Sequence, residues 1–126
     1  MNKATRTHIR SLLWKYKVIK KTLRDFSDVM NNQENIFLEY PFIGIENCWT
    51  MNQIVFHKMF LQIISDILDD STSEVQAIFN SKYLHGHPSK ENAIVAMETF
   101  LSESTVKRRD NEFLKEIAER LGWLSV

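Results

Sequence analysis

Apolar residues recur at three- and four-residue intervals along most of this chain, a spacing that gives a helix one face to bury and one to leave in water. From Thr5 to Met30 the inward set is Ile9, Leu12, Leu13, Tyr16, Ile19, Leu23 and Phe26. From Thr50 to Leu68 it is Phe56, Met59, Phe60, Ile63, Ile64 and Ile67. That wide arc predicts a helix covered on most sides, with Lys58, Gln62, Ser65, Asp66 and Asp69 as its polar stripe. Val75, Ile78 and Phe79 point to a helix reaching Leu84, another runs from about Lys90 to Phe100, and the last spans Glu103 to Leu121, closed by Gly122. Three Gly and two Pro in 126 residues are too few for the turns of an all-β fold. The pattern predicts an all-α protein of about five helices.

Breakers divide these segments. Asn31-Asn32-Gln33 ends the first helix, and Pro41 and Gly44 interrupt the short apolar stretch Ile36 to Ile45. Phe37, Tyr40 and Phe42 within it suggest a linker packed down on the protein. Residues 1–48 therefore read as a basic amphipathic helix plus linker, and 49–126 as a helical core, the whole forming one compact unit. Ser71 and Glu74 have the spacing of a capping box. His85-Gly86-His87-Pro88 is a stop, Ser89 caps the next helix, and Leu101-Ser102 is a short turn.

Charge is unevenly spread behind a formal net charge of zero. Residues 1–24 hold eight bases and no acid, residues 25–103 three bases and twelve acids, and residues 104–126 five bases and four acids. Two basic zones bracket an acidic middle, so a polyanion meets either end before the centre. Chemistry is excluded on several counts. His85-Gly86-His87 with distant His57 lacks a third ligand in register, so no metal is expected. Asp69, Asp70 and Glu74 sit where one helix ends and another begins, which the helix dipole explains. Ser102 and Ser104 have no Gly-rich elbow, and three glycines cannot build a phosphate-cradling loop. Neither an enzyme nor a cofactor is expected. No apolar run reaches membrane-spanning length. The polar Met1–Arg10 start and the single Cys48 read as a cytoplasmic protein.

The most informative stretch is Ala93 to Leu114, two predicted helices joined by a very short turn. Ala96 is small enough for the second helix to cross close by, and Val95, Leu101 and Val106 would pin the pair. In a helix-turn-helix the second helix enters the major groove, where base edges are distinguishable. Val106, Phe113, Leu114, Ile117, Ala118 and Leu121 form the buried stripe of that helix. Ser104, Lys107, Arg108, Asn111 and Lys115 form one exposed stripe of base-reading and phosphate-binding groups. Ser102, Glu103 and Thr105 stand at the helix start, where Ser102 and Thr105 suit a cap or a phosphate contact, and Arg109 and Lys115 suit backbone phosphates. Arg6, Arg10, Lys17 and Lys21, opposite the apolar face of the first helix, are further phosphate candidates whose binding would weaken with salt. Trp14 and Tyr16 among these bases would suit base stacking, although Tyr16 also fits the core. Asp110 and Glu112 put acids beside the reading stripe.

Tyr83, Val95-Ala96, Leu101-Ser102, Thr105, Arg108 and the closing Ile117-Ala118-Glu119-Arg120-Leu121-Gly122 resemble the C-terminal half of the RinA/ArpU-type phage transcriptional regulators. The resemblance covers roughly residues 64–123. It implies a helix-turn-helix similar to the fourth region of sigma factors, acting at late packaging and lysis promoters in a bacterial host cell. The implied partner is double-stranded DNA; RNA polymerase is a candidate protein partner that would add to the modest charge of the last segment, a homodimer is a further candidate, and no membrane is expected. Leu101 stands where the family often has a β-branched residue. Two other readings remain at this point: a small terminase-like DNA-packaging adaptor, which would form a ring, and a protein-interaction module docking through Asp66, Asp69, Asp70 and Glu74. The terminal Leu121-Gly122-Trp123-Leu124 fits either a fold-back onto the core or a dimer contact.

Overall fold

The structure, a computed structural model, describes residues 1–32 and 49–124. It is all-helical, with no strand among the described residues. Six α-helices occur there: α1 (Lys3–Trp14), α2 (Tyr16–Asn32), α3 (Met51–Asp69), α4 (Ser73–Ile78), α5 (Asn92–Thr99) and α6 (Glu103–Leu121), with a π-helical segment (Phe79–Leu84) continuing α4. None of them is long and apolar enough to cross a membrane. The linker expected around Ile36–Ile45, including Phe37, Tyr40, Pro41, Phe42 and Gly44, and Cys48 lie outside the described residues.

The single helix expected from Thr5 to Met30 is two. Asn2 Oδ1 accepts the Thr5 N–H at 2.8 Å and starts α1, and at Lys15 the backbone N–H turns back to Leu12 O at 3.1 Å. The break falls beside Trp14, whose indole N–H donates to the Lys82 carbonyl at 2.9 Å. A tertiary anchor 68 residues away thus overrides a periodicity that runs straight through Lys15. The helix after it runs to Asn32, where the described stretch ends, and Gln33, the last residue of the expected breaker Asn31-Asn32-Gln33, lies outside the described residues.

The chain divides into two compact units, residues 1–16 with 63–126, and residues 17–62. In the second unit, Ile19, Trp49, Ile54 and Phe60 are buried, and Trp49 stacks on His57 with centroids 4.1 Å apart. Thr50 and Gln53 form a reciprocal cap at the start of α3: Thr50 Oγ1 accepts from the Gln53 N–H (3.2 Å), and Gln53 Oε1 from the Thr50 N–H (2.8 Å). The expectation that α3 is covered on most sides fails over its first turns. Met51, Val55 and Met59, one turn apart, are about half exposed or more.

The first unit gathers α1, the end of α3, α4, the π segment, α5 and α6. Its core includes Ile9, Leu13, Ile64, Ile67, Tyr83, Leu114 and Ile117. Ser71 does not cap α4, because its hydroxyl closes the end of α3 by donating to Ile67 O; Thr72 caps instead, accepting from the Val75 N–H. The π segment buries Ser81, Lys82 and Tyr83 in succession, with α1 and α5 both packed on it. Two residues beyond its end, at Gly86, a Cβ would collide with the Lys82 carbonyl, so the backbone doubles back at a spacing that glycine alone permits. Ser89 is not the cap of the next helix. Glu91 holds that position with no side-chain hydrogen bond. At the other end Gly122, at φ 77°, lets the Trp123 N–H reach Ala118 O (2.8 Å), and Trp123 folds back to meet the His8 ring at 5.3 Å.

Candidate nucleic-acid interface

The corner between α5 and α6 is three residues long. Phe100 adopts the left-handed conformation (φ 59°, ψ 34°), and the Leu101 N–H closes onto Ala96 O at 3.1 Å. That six-to-one bond satisfies a terminal carbonyl of α5 and turns the chain sharply. Ser102 then caps α6, its Oγ accepting the Thr105 N–H at 3.1 Å while donating to Thr105 Oγ1 at 2.8 Å. Val95 and Val106, with Ile78 from α4, form a fully buried cluster against which Ala96 and Leu101 pack. The residues expected to pin the two helices do so, and a third helix joins them.

This packing fixes which face of α6 meets water. Val106, Phe113, Leu114, Ile117 and Ala118 are buried, while Ser104, Lys107, Arg108, Asn111 and Lys115 are all exposed. Arg108, Asn111 and Lys115 make no hydrogen bond or ion pair with the described residues. Lys107 lies 3.6 Å from Glu103, an exposed pair one turn apart of small energetic weight. Glu103 in the first turn suits the helix dipole. Ser104 Oγ lies 3.2 Å from Ser102 Oγ, so Arg108, Asn111 and Lys115 are the uncommitted members of the row among the described residues.

Other cationic candidates are placed differently. Arg109 is half-buried and bonds Glu112 at 3.1 Å, with Glu74 at 3.9 Å, so its guanidinium is held beside carboxylates. Arg10 donates to Asp110 at 2.9 Å. Burial works against the Arg10 charge, yet the hydrogen bonds to Asp110 and Tyr83 outweigh it and raise the pKa. Arg6 is half-buried on the same helix. Lys17 and Lys21 are exposed but sit on α2, within the other unit. The bases of the first segment thus do not share one helix.

Asp110 is the residue that the sequence misplaced. It does not lie beside the reading stripe; it is 1% exposed, on the inner face of α6. Its carboxylate accepts from Arg10 (2.9 Å), Lys82 Nζ (3.1 Å) and Tyr83 Oη (2.6 Å), and Lys82 also donates to Asn92 Oδ1 (3.0 Å). Burial first, and then the neighbouring carboxylate, push the Tyr83 hydroxyl far above its ordinary value, so it stays a donor. A buried charge persists only when paired and hydrogen-bonded, and here three donors meet that need. Nothing in the local pattern announces this, because the donors are 27, 28 and 100 residues away.

Apolar side chains also reach solvent beside the corner: Ile94 (44%), Met97 (74%) and Phe100 (94%). Among the described residues, no group of three His, Cys, Asp or Glu side chains converges as a metal site would require. In comparisons with known proteins, no family model, curated protein or solved structure matches this chain.

Proposed function

We propose that the chain is a sequence-specific DNA-binding regulator of transcription, with α5 and α6 as a helix-turn-helix and α6 in the major groove. One observation carries the reading: Ser104, Lys107, Arg108, Asn111 and Lys115 form a single exposed row on a helix that begins at a three-residue corner. An α-helix fits the major groove, Arg and Lys read guanine, and Asn reads adenine. Ser104 and Lys115 at the two ends of the row suit phosphate oxygens, and Ser102 and Thr105 hold the end of the helix that enters first. The resemblance to RinA/ArpU-type regulators supplies the expected setting, late promoters, and RNA polymerase is the candidate protein partner. On this reading the chain binds rather than catalyses.

The test is a gel-shift titration of the Lys107→Ala, Arg108→Ala double variant against fragments upstream of late genes, with competitor DNA. Two lost base contacts lower specific affinity by about 10²-fold or more. Both side chains are exposed, so helix content by circular dichroism stays at the wild-type level. Unchanged specific affinity removes these residues from the role. Mass in solution separates the packaging alternative, which requires a ring, from a monomer or dimer.

A further inference from the structure

A cleft of about 550 Å³ opens in the first unit, and Lys107 belongs both to its wall and to the exposed row on α6. Four stretches of chain each bring one cation to that wall: Arg10 from α1, Lys82 from the π segment, Lys90 from the loop before α5, and Lys107. Their commitments differ. Arg10 and Lys82 share the single carboxylate of Asp110, which leaves one positive charge uncompensated on the inner wall. Lys90 is matched by Glu98. Lys107 is held only by the exposed Glu103 at 3.6 Å, a contact that solvent screens. The two lining carboxylates, Glu91 and Glu103, are both on exposed residues, whereas Arg10 and Lys82 are set deeper.

Residues lining the cleft carry unused donors. Arg10 Nε is buried and has no acceptor among the described residues. The Ser89 hydroxyl makes no hydrogen bond among the described residues, and the Asn92 and Ala93 N–H groups at the start of α5 receive no side-chain cap. Donors of several kinds on residues lining a recess with fixed positive charge suit a multi-oxygen anion.

We propose that this cleft seats a phosphate group. The assignment deepens the DNA reading and rests on it for its source: with α6 in the groove, the wall shared through Lys107 would receive a backbone phosphate of the adjoining strand. A free phosphorylated small molecule has the same chemistry, and the volume lies within the range of small-ligand sites, about 300–1,000 Å³.

Ala93 gives a test that separates binding from folding. It is exposed, lines the cleft and stands in the first turn of α5, where an acid suits the helix dipole. Ala93→Glu is therefore expected to melt no lower than wild type while blocking the seat, and Ala93→Lys is expected to reinforce it. Fluorescence anisotropy on specific and unrelated duplexes at several salt concentrations is the first readout. For a backbone phosphate, Ala93→Glu lowers affinity for both duplexes about 10-fold and reduces the salt slope by about one, with base preference unchanged; Ala93→Lys shifts both the other way. The second readout is titration with sodium pyrophosphate, following the amide resonances of residues 89–93 and the Trp14 indole. Shifts there that Ala93→Glu abolishes, with the DNA slope unaffected, assign the seat to a free phosphorylated ligand. An unchanged salt slope together with no localised pyrophosphate shift overturns the proposal. If wild-type protein binds no DNA, the regulator reading falls and the pyrophosphate titration alone decides for or against the cleft.

Discussion

Phe100 holds φ at 59° with its ring 94% exposed, so it bears a conformational cost without burying surface within the chain. The left-handed region costs an ordinary L-residue about 1–2 kcal/mol, and glycine is free of that penalty. Phe100→Gly is therefore expected to stabilise the protein by about 0.5–1 kcal/mol, after allowing for the greater freedom of glycine in the unfolded chain. Urea denaturation measures this, and a lower midpoint would mean that the ring makes an intramolecular contact. The periodicity of α5 marked Phe100 as its last helical position; the bond from Leu101 to Ala96 makes it the turn. An aromatic gives no hint of a left-handed corner, whereas Gly122, at φ 77°, announces the end of α6 in advance.

At the scale of the element, α6 was the most legible part of the chain. Its bounds, Glu103–Leu121, coincide with those expected, because Ser102 and Gly122 are strong local signals and act on their own neighbours. Ser102→Ala removes the acceptor of the Thr105 N–H and is expected to cost about 1 kcal/mol, read as a lower thermal midpoint. On the proposed function the same variant loses DNA affinity as the first turn frays, and Ser102→Asp restores the stability. Where elements were misread, a competing hydrogen bond was responsible, distant in one case and local in the other. Trp14 bonding Lys82 O breaks the first helix at a point where the apolar spacing continues, and Ser71 is diverted to the end of α3, leaving the cap of α4 to Thr72. The exposed row was legible because its face follows from the apolar one opposite. The partners that hold Arg10 and Arg109 were not, because charge patterning does not reveal which cations lie against a carboxylate.

At the scale of the whole molecule, the buried polar cluster joins segments that adjacency in sequence would never pair. Tyr83 couples it to pH. The raised Tyr83 pKa means that the neutral hydroxyl is favoured in the folded state. Its contribution is complete below the ordinary tyrosine value of 10.0 and is lost as pH rises from there toward the folded value. Stability of the wild type is thus expected to decline above about pH 10. Tyr83→Phe removes that component while costing about 1.5–3 kcal/mol at neutral pH, since Asp110 loses a donor. Denaturant titrations at pH 7 and pH 11 check both signs, and an equal alkaline loss in the two proteins would remove Tyr83 from the account.

Asp110 gives α6 a second, inward duty. Substituting positions 108, 111 and 115 alters only side chains that face water with no partner among the described residues, so three sites can be randomised without disturbing the scaffold. Grafting a foreign helix in place of α6 would instead strand Arg10 and Lys82 without their shared counter-ion, and such chimaeras should fail to accumulate unless an aspartate is kept at 110.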